Sequence, residues 1–337
     1  MITKPILVID GLNYFLRHFS VNEDVTVGGD LVGGVTGFVR GLGKLIDQLK
    51  PDRVFVVWEQ GGPSQRRKHI YPAYKANRAT SKGLQEVYRP NGKIVAASNQ
   101  QNKAFQLQLL TKALGNLPVC QVYVQDTEAD DIVAYLVRRK FQNDASTKIV
   151  VSSDKDFYQL LEDPNVRIYD PARKILIDAK YVLDKFGVSA RNITLARSVI
   201  GDPSDNLDGV SGIGFKTIAS RLPGFATDDV DLDLTWLHEA AGEAFKASKK
   251  PPKCYGDIIN NQEVIERNWK LMYLDTNCLA STQISKVDYK LENFHPVSNR
   301  LDYIKTFVGA DIPLTQDIDY TFSVAKTLVR QTSATVG

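Results

Sequence analysis

The chain is poor in the residues that anchor several familiar chemistries. Its 337 residues hold three cysteines, Cys120, Cys254 and Cys278, with no CxxC spacing. An odd, scattered set argues against a disulfide framework or a thiolate zinc site and suits a reducing cytosol. The four histidines (His18, His69, His238, His295) are scattered too, and each reads as a surface or packing residue. No stretch approaches the roughly 18 apolar residues of a membrane span. Met1 to Asp10 has no apolar run behind a basic start, so no signal peptide is expected. Charge of one sign is missing as well: 42 Lys and Arg against 39 Asp and Glu leave +3. Partners must therefore be read from local charge.

Hydrophobic residues make up 43% and charged residues 24%, enough for a globular protein with a sizeable core. The length suggests about two domains. Apolar runs at Ile6–Asp10, Arg53–Glu59, Val119–Val124 and Lys148–Ser153 alternate with helical patterns at 35–49, 103–114, 128–140 and 156–161. That order predicts a mostly parallel central sheet flanked by helices. Val166–Asp170 and Lys174–Asp178 read as a strand and hairpin at its edge. The α/β core is expected over 1–187 and a helical region over 188–337. In the latter, 192–201, 215–222 and 261–274 read as helices, 223–254 as partly irregular, and the last dozen residues as frayed. Trp58, Trp236 and Trp269 read as core.

Each of the four apolar runs is followed by acids: Asp10; Glu59; Glu128, Asp130 and Asp131; Asp154 and Asp156. In a parallel sheet the carboxyl ends of the strands share one edge, so these seven should converge. Glu128 and Asp130 lie about 200° apart on a regular helix. They can share a site only in a first turn, with Asp126 or Thr127 as cap. Crowded carboxylates raise one another's pKa, and a divalent cation removes the conflict. An all-oxygen donor set selects hard ions, Mg²⁺ with Mn²⁺ as substitute. Two such ions suit phosphodiester hydrolysis. A single acid after a strand is more often a helix cap, which is the reading preferred for Asp170 and Asp178.

Residues 64–103 carry nine Lys or Arg and one acid, Glu86. Arg66, Arg67, Lys68 and Lys82, with tyrosines such as Tyr74 between them, suit a nucleic-acid strand. Gly209, Gly212 and Gly214, followed by Lys216, suit a turn that grips a phosphate backbone without reading bases.

Five ordered motifs then carry a resemblance: VIDGLN (8–13), YPAYKANR (71–78), TEADD (127–131), SSDKDFYQLL (152–161) and GDPSDNLDGVSGIGFKT (201–217). They resemble the flap endonuclease and 5′-3′ exonuclease family over about 6–222. The compact length resembles the stand-alone phage enzymes, and NWKLMYLD (268–275) loosely resembles the phage ribonuclease H branch. The resemblance implies a PIN-like nuclease core with a helix–three-turn–helix duplex-binding element at about 192–222. It implies one metal site of Asp10, Glu128 and Asp130 with Asp131 close by, and a second of Asp154, Asp156 and Asp205 with Asp202 near. It implies an arch over 64–103 whose Lys75 and Arg78 reach the scissile phosphate, and K⁺ assistance at the glycine turn. The expected substrate is DNA with a 5′ flap, a nick or an RNA primer end, in replication. Expected partners are a single-strand-binding protein or replication clamp; the chain is expected to be a monomer away from membranes. The expected place is the cytoplasm, that of the infected host for a phage-encoded chain. Glu59, in WEQGG, departs from the family's usual Asp, though one methylene more still permits ligation. Two other readings stay open: a related single-strand ribonuclease, and a branched-DNA binder with a degenerate site.

Overall fold

The computed structural model describes residues 3–60, 65–79, 87–88, 94–95 and 99–332. Side chains are described for all of these except 60, 78–79, 87–88, 94–95, 99–100 and 329–332. β1 (Ile6–Asp10) leads into α1 (Gly11–Val21) and α2 (Gly33–Leu49), and β2 (Arg53–Gln60) into α3 (Gln65–Ile70). A short hairpin, β3 (Val87–Tyr88) with β4 (Ile94–Val95), precedes α4 (Asn99–Leu114). β5 (Cys120–Gln125) leads to α5 (Ala129–Tyr135), and β6 (Lys148–Val151) to a 3-10 helix, Lys155–Glu162. β7 (Val166–Asp170) and β8 (Ile175–Ile177) finish the sheet.

The strand order is β5-β2-β1-β6-β7-β8, parallel except for β8. The predicted parallel sheet, its helical flanks and its edge hairpin are all present. The order reverses at β1, which has β2 on one side and β6 on the other, and ligands collect at such a switch point. Period-2 alternation explains the two cores. Ile6 and Val8 face α5 and the helices after the sheet, whereas Leu7 and Ile9 face α1, α2 and α4. Gly37 and Gly41 let α1 lie close on α2: a Cβ on either would meet His18 or Tyr14.

The helical region runs through α6 (Ala179–Phe186), α7 (Ile193–Ile200), a small hairpin of β9 (Gly201–Asp202) and β10 (Leu207–Asp208), and α8 (Phe215–Arg221). It continues through α9 (Leu234–Lys246), α10 (Lys253–Asn260), α11 (Gln262–Met272), α12 (Ser281–Glu292), α13 (Arg300–Val308) and α14 (Gln316–Thr332). The stretch 223–254 is irregular over 227–233 and 247–252 and holds a full helix, α9, capped by Asp233 and rooted by buried Leu237 and Ala241. One expectation needs correction. The chain end is not frayed as far as Thr332. Ile318, Phe322, Ala325 and Leu328 form one buried stripe of α14, and Thr321 Oγ1 donates to Val39 O of α2 at 3.0 Å. Helices α13 and α14 thus return to cover the α1–α2–α4 face. Among the described residues, no helix is long and apolar enough to cross a membrane.

Candidate active site

The strand ends bring the predicted acids to one edge. Asp10 ends β1, where Ile9 lies level with Val151 of β6. Its side chain caps α1 by accepting from Asn13 N at 3.1 Å and also accepts from Ser152 Oγ at 3.3 Å. Asp154 is held in turn: its N–H donates to Ser152 Oγ at 3.1 Å, and its carboxylate accepts from Asp156 N at 2.9 Å. Burial, reinforced by Asp154 and Glu59, pushes Asp10 up to about 7 despite its hydrogen bonds. Glu59 is thus near enough to act on Asp10, and it acts on the Lys103 ammonium as well. Asp156 is also pushed to about 7, by burial first and then by Asp154, Asp205 and Asp202 against the pull of Arg197.

Across the edge, Glu128 itself is the cap residue of α5, rather than Asp126 or Thr127. Its backbone is extended and its side chain makes no capping bond, which frees it to turn towards the site. Lys75 Nζ pairs with it. Tyr74 Oη donates to Asp205 Oδ2 at 3.1 Å and lies 3.4 Å from Glu128 Oε2. Lys75 N–H donates to Asp205 O at 3.0 Å, with Lys75 in the left-handed region at φ 56°. The Tyr74–Lys75 step, within the basic segment, thus joins the Glu128 group to the Asp205 group. Burial would pull the Lys75 ammonium down, but Asp130, Glu128 and Asp205 overcome it and raise its pKa. Asp130 is pushed well up by burial, with Asp131 and Glu128 adding to it.

Three placements correct the sequence reading. Arg67 is not a surface cation for nucleic acid: it is fully buried and grips Asp131 through Nη1 at 2.8 Å and Nη2 at 2.9 Å. Its Nε donates to Leu271 O at 3.0 Å. Asp131 is committed to that pair. Tyr74, 3% exposed, is not placed to stack on a base. Arg66 is half-buried near Asp131 at 4.0 Å, and Lys68 is exposed. Lys82 lies outside the described residues, as does the side chain of Arg78.

Sequence reasoning missed Arg197. Buried on α7, it pairs with both Asp156 and Asp202. The signal was available: it is the lone charge in ITLARSVI. Asp202 also accepts from Ser204 N at 2.8 Å and Ser204 Oγ at 2.6 Å.

At the glycine turn, a Cβ on Gly209 would sit 2.0 Å from Ile200 O, and Gly212 has φ +78°. A Cβ on Gly214 would meet nothing within 4 Å, and Lys216 beside it is exposed. The turn is tight on its inner side and open on its outer side.

Among the described residues, no three His, Cys, Asp or Glu side chains form a ready-made metal cage. The acids are drawn instead onto Arg67, Lys75 and Arg197. The donor set still fits a hard divalent cation: it is oxygen only, and like charge crowds Asp10 and Asp156.

A family model for the 5′-3′ exonuclease, N-terminal resolvase-like domain, matches residues 5–187, more than half of the chain. The chain belongs to the 5′-3′ exonuclease family. The 5′-3′ exonuclease of Aquifex aeolicus is 28% identical over 283 residues, covering 82% of this chain and 90% of that one. The thermostable DNA polymerase I of Thermus thermophilus is 31% identical over 218 residues, covering 64% of this chain and 24% of the polymerase. The chain spans about a quarter of the length of the DNA polymerase I relatives it matches. The bacteriophage T5 flap endonuclease, solved with DNA and metal ions, superposes with a TM-score of 0.61 at 18% identity, covering 97% of this chain and 100% of that one. This last likeness shows the fold: the same family architecture with a helical region after the sheet.

Proposed function

We propose that this family member is a structure-specific 5′-nuclease. It hydrolyses phosphodiester bonds in duplex DNA that carries a 5′ flap, a nick or an RNA primer end. The observation that carries the reading is the Tyr74–Lys75 step. It lies within the basic segment and is seated between Glu128 and Asp205. A strand drawn along that segment by its phosphates would arrive at the acids.

Two divalent ions, Mg²⁺ with Mn²⁺ as substitute, would be held by Asp10, Glu128 and Asp130, with Glu59 beside Asp10, and by Asp154, Asp156, Asp202 and Asp205. When bound, such ions supply an activated water and stabilise the leaving oxygen. The chain's own residues do the rest. Lys75 brings a positive charge to the phosphate and offsets the charge that builds there. Tyr74 keeps Glu128 and Asp205 spaced through its hydroxyl. Arg197 holds Asp156 and Asp202 in place. The glycine turn and Lys216 grip the duplex backbone without reading bases. On the same reading K⁺ assists that turn, and the chain acts as a monomer in cytoplasmic DNA replication. A single-strand-binding protein or replication clamp is its partner.

The test is cleavage of a labelled 5′-flap duplex with Mg²⁺ and, in parallel, with EDTA. Wild type should cut only with Mg²⁺. Asp154→Ala and Asp156→Ala should abolish cutting and leave duplex binding largely intact. Full cleavage by either variant overturns the assignment. Equal cutting of unstructured RNA would favour a single-strand ribonuclease, and a shift without product would favour a binder.

A further inference from the structure

One feature on the helical side is not used by this chemistry. Residues 246–253, KASKKPPK, hold four lysines and no acid. They form the tip of the α9–α10 hairpin. Lys246, Lys249, Lys250 and Lys253 are all exposed. Lys246, Lys249 and Lys250 make no ion pair among the described residues, and Lys253 reaches only Asp257, at 3.9 Å, with its side chain 90% exposed. Pro251 and Pro252 limit the freedom of the tip. Four acids of this region, Asp228, Asp229, Asp231 and Asp233, lie at the opposite end of α9, while Glu243 on α9 and Asp257 on α10 flank the tip. Thirteen helical residues separate the two ends by about 20 Å. That is more than twice the screening length at physiological salt, about 8 Å, so those four acids do not neutralise the tip, and the two flanking acids leave its four lysines in excess.

The hairpin is fixed to the glycine-turn element. Tyr255 Oη, near the start of α10, donates to Arg221 O at the end of α8 at 3.0 Å. The Trp236 ring packs edge-on against Phe225, with centroids 5.3 Å apart, and closely over Gly224. Leu237, Ala241, Tyr255 and Ile258 belong to the main core. Lys253 is two residues from Tyr255, a rise of about 3 Å. The tip therefore stands well within one duplex turn, about 34 Å, of Arg221 on α8. Lysines that project unpaired from a rigid mount match a regular row of phosphates.

We propose that the α9–α10 tip is a second contact for the phosphate backbone of duplex DNA, which lengthens the footprint of the glycine-turn element. This rests on the nuclease reading, but it concerns binding and not cleavage. It also gives a job to the stretch that divides α9 from α10.

The test compares wild type with the quadruple variant Lys246→Ala, Lys249→Ala, Lys250→Ala, Lys253→Ala by fluorescence anisotropy. The probes are labelled flap substrates with duplex arms of roughly 10 and 30 base pairs, one and three turns, in EDTA across a salt series. On the long substrate the variant should bind about 10-fold or more weakly at moderate salt. Its salt slope should fall by about two to three, at roughly 0.9 per lost phosphate contact. On the short one, which offers the tip fewer phosphates, the loss should be smaller. The corresponding quadruple Lys→Arg variant should retain wild-type binding. Equal affinity and slope on both lengths, with wild type binding well, overturns the tip contact alone and leaves an acidic protein partner as the better occupant. Wild type that binds no duplex of either length overturns both readings. Unchanged thermal unfolding of the alanine variant shows that the loss is one of contact.

Discussion

Arg67 and Asp131 form a two-pronged ion pair of 2.8 and 2.9 Å in which both side chains are buried. The same guanidinium lies 3.4 Å from Glu128 and 3.5 Å from Asp130, and its third nitrogen holds Leu271 O. It ties α3, the start of α5 and the end of α11 at one point. Removing one partner of a buried pair leaves the other charge stranded, at a cost of about 3–5 kcal/mol. Arg67→Met should therefore lower unfolding free energy in urea by about that amount. Arg67→Lys should fall between, because an ammonium cannot reproduce the planar fork. A methionine variant as stable as wild type would show that the pair does not hold these elements together.

Asp10 gives a pH prediction whose sign runs against the usual carboxylate. Its folded pKa, about 7, lies above its unfolded value of 3.8. The folded state then holds a proton that the unfolded state has released. Metal-free stability should fall as pH rises from about 4 to about 7 and level off above that. Asp10→Asn keeps a cap for α1, since Asn is as good an N-cap as Asp, and removes the penalty. At pH 8 in EDTA the variant should be more stable than wild type by about 2 kcal/mol, roughly half the ceiling that three pKa units set. Added Mg²⁺ should raise the Tm of wild type more than that of the variant. Parallel pH slopes for the two proteins would refute this account of Asp10.

The sequence made the strand-end acids legible because their signal is local: an apolar run, then a carboxylate. Asp178 was equally legible as a cap and does accept from Tyr181 N. Burial of a charge is not local. Arg66, Arg67 and Lys68 are adjacent cations, and only their phase on α3 decides that the middle one points inward. Tyr74 looked like a stacking ring because it sits among cations, but its hydroxyl is spent on Asp205. Arg197 is visible as a lone charge, yet its two partners come from different segments. The return of α14 onto α2 joins residues such as Val39 and Thr321, far apart in the chain, and no periodicity announces it.

His18 titrates with the opposite sign to Asp10. Its ring packs edge-on against Tyr14 at 4.9 Å, and its Nε2 is buried with no hydrogen-bond partner. Burial, helped by Arg17 and Arg40, holds its pKa down at about 4 against an ordinary 6.5. The unfolded chain takes up the proton first, so this contribution is complete above pH 6.5 and lost as pH falls towards 4. At pH 5 the loss should be about 1 kcal/mol after allowance for partial exposure. His18→Leu should lack it. Urea unfolding at pH 7 and pH 5 tests this. If the variant loses as much stability on acidification as wild type, His18 is not the source.

Two glycines of the turn proposed to grip duplex should behave differently. A Cβ on Gly209 would fall 2.0 Å from Ile200 O and 2.5 Å from Gly201 N, both backbone atoms that cannot swing aside. Gly209→Ala must push the β9–β10 hairpin apart, which carries Asp202 and adjoins Asp205. Its cost should be in the range of 1–3 kcal/mol typical of overpacking, with cleavage reduced as the acids shift. Gly214 offers no such conflict, since a Cβ there meets nothing and its backbone is extended. Gly214→Ala should leave Tm within about 1 °C, as expected for a surface change. If a phosphate backbone comes up to that open side, the added methyl should still weaken duplex binding several-fold. Thermal unfolding beside anisotropy on both variants separates the cases. A Gly214→Ala protein that binds duplex like wild type would move the backbone contact elsewhere on the turn.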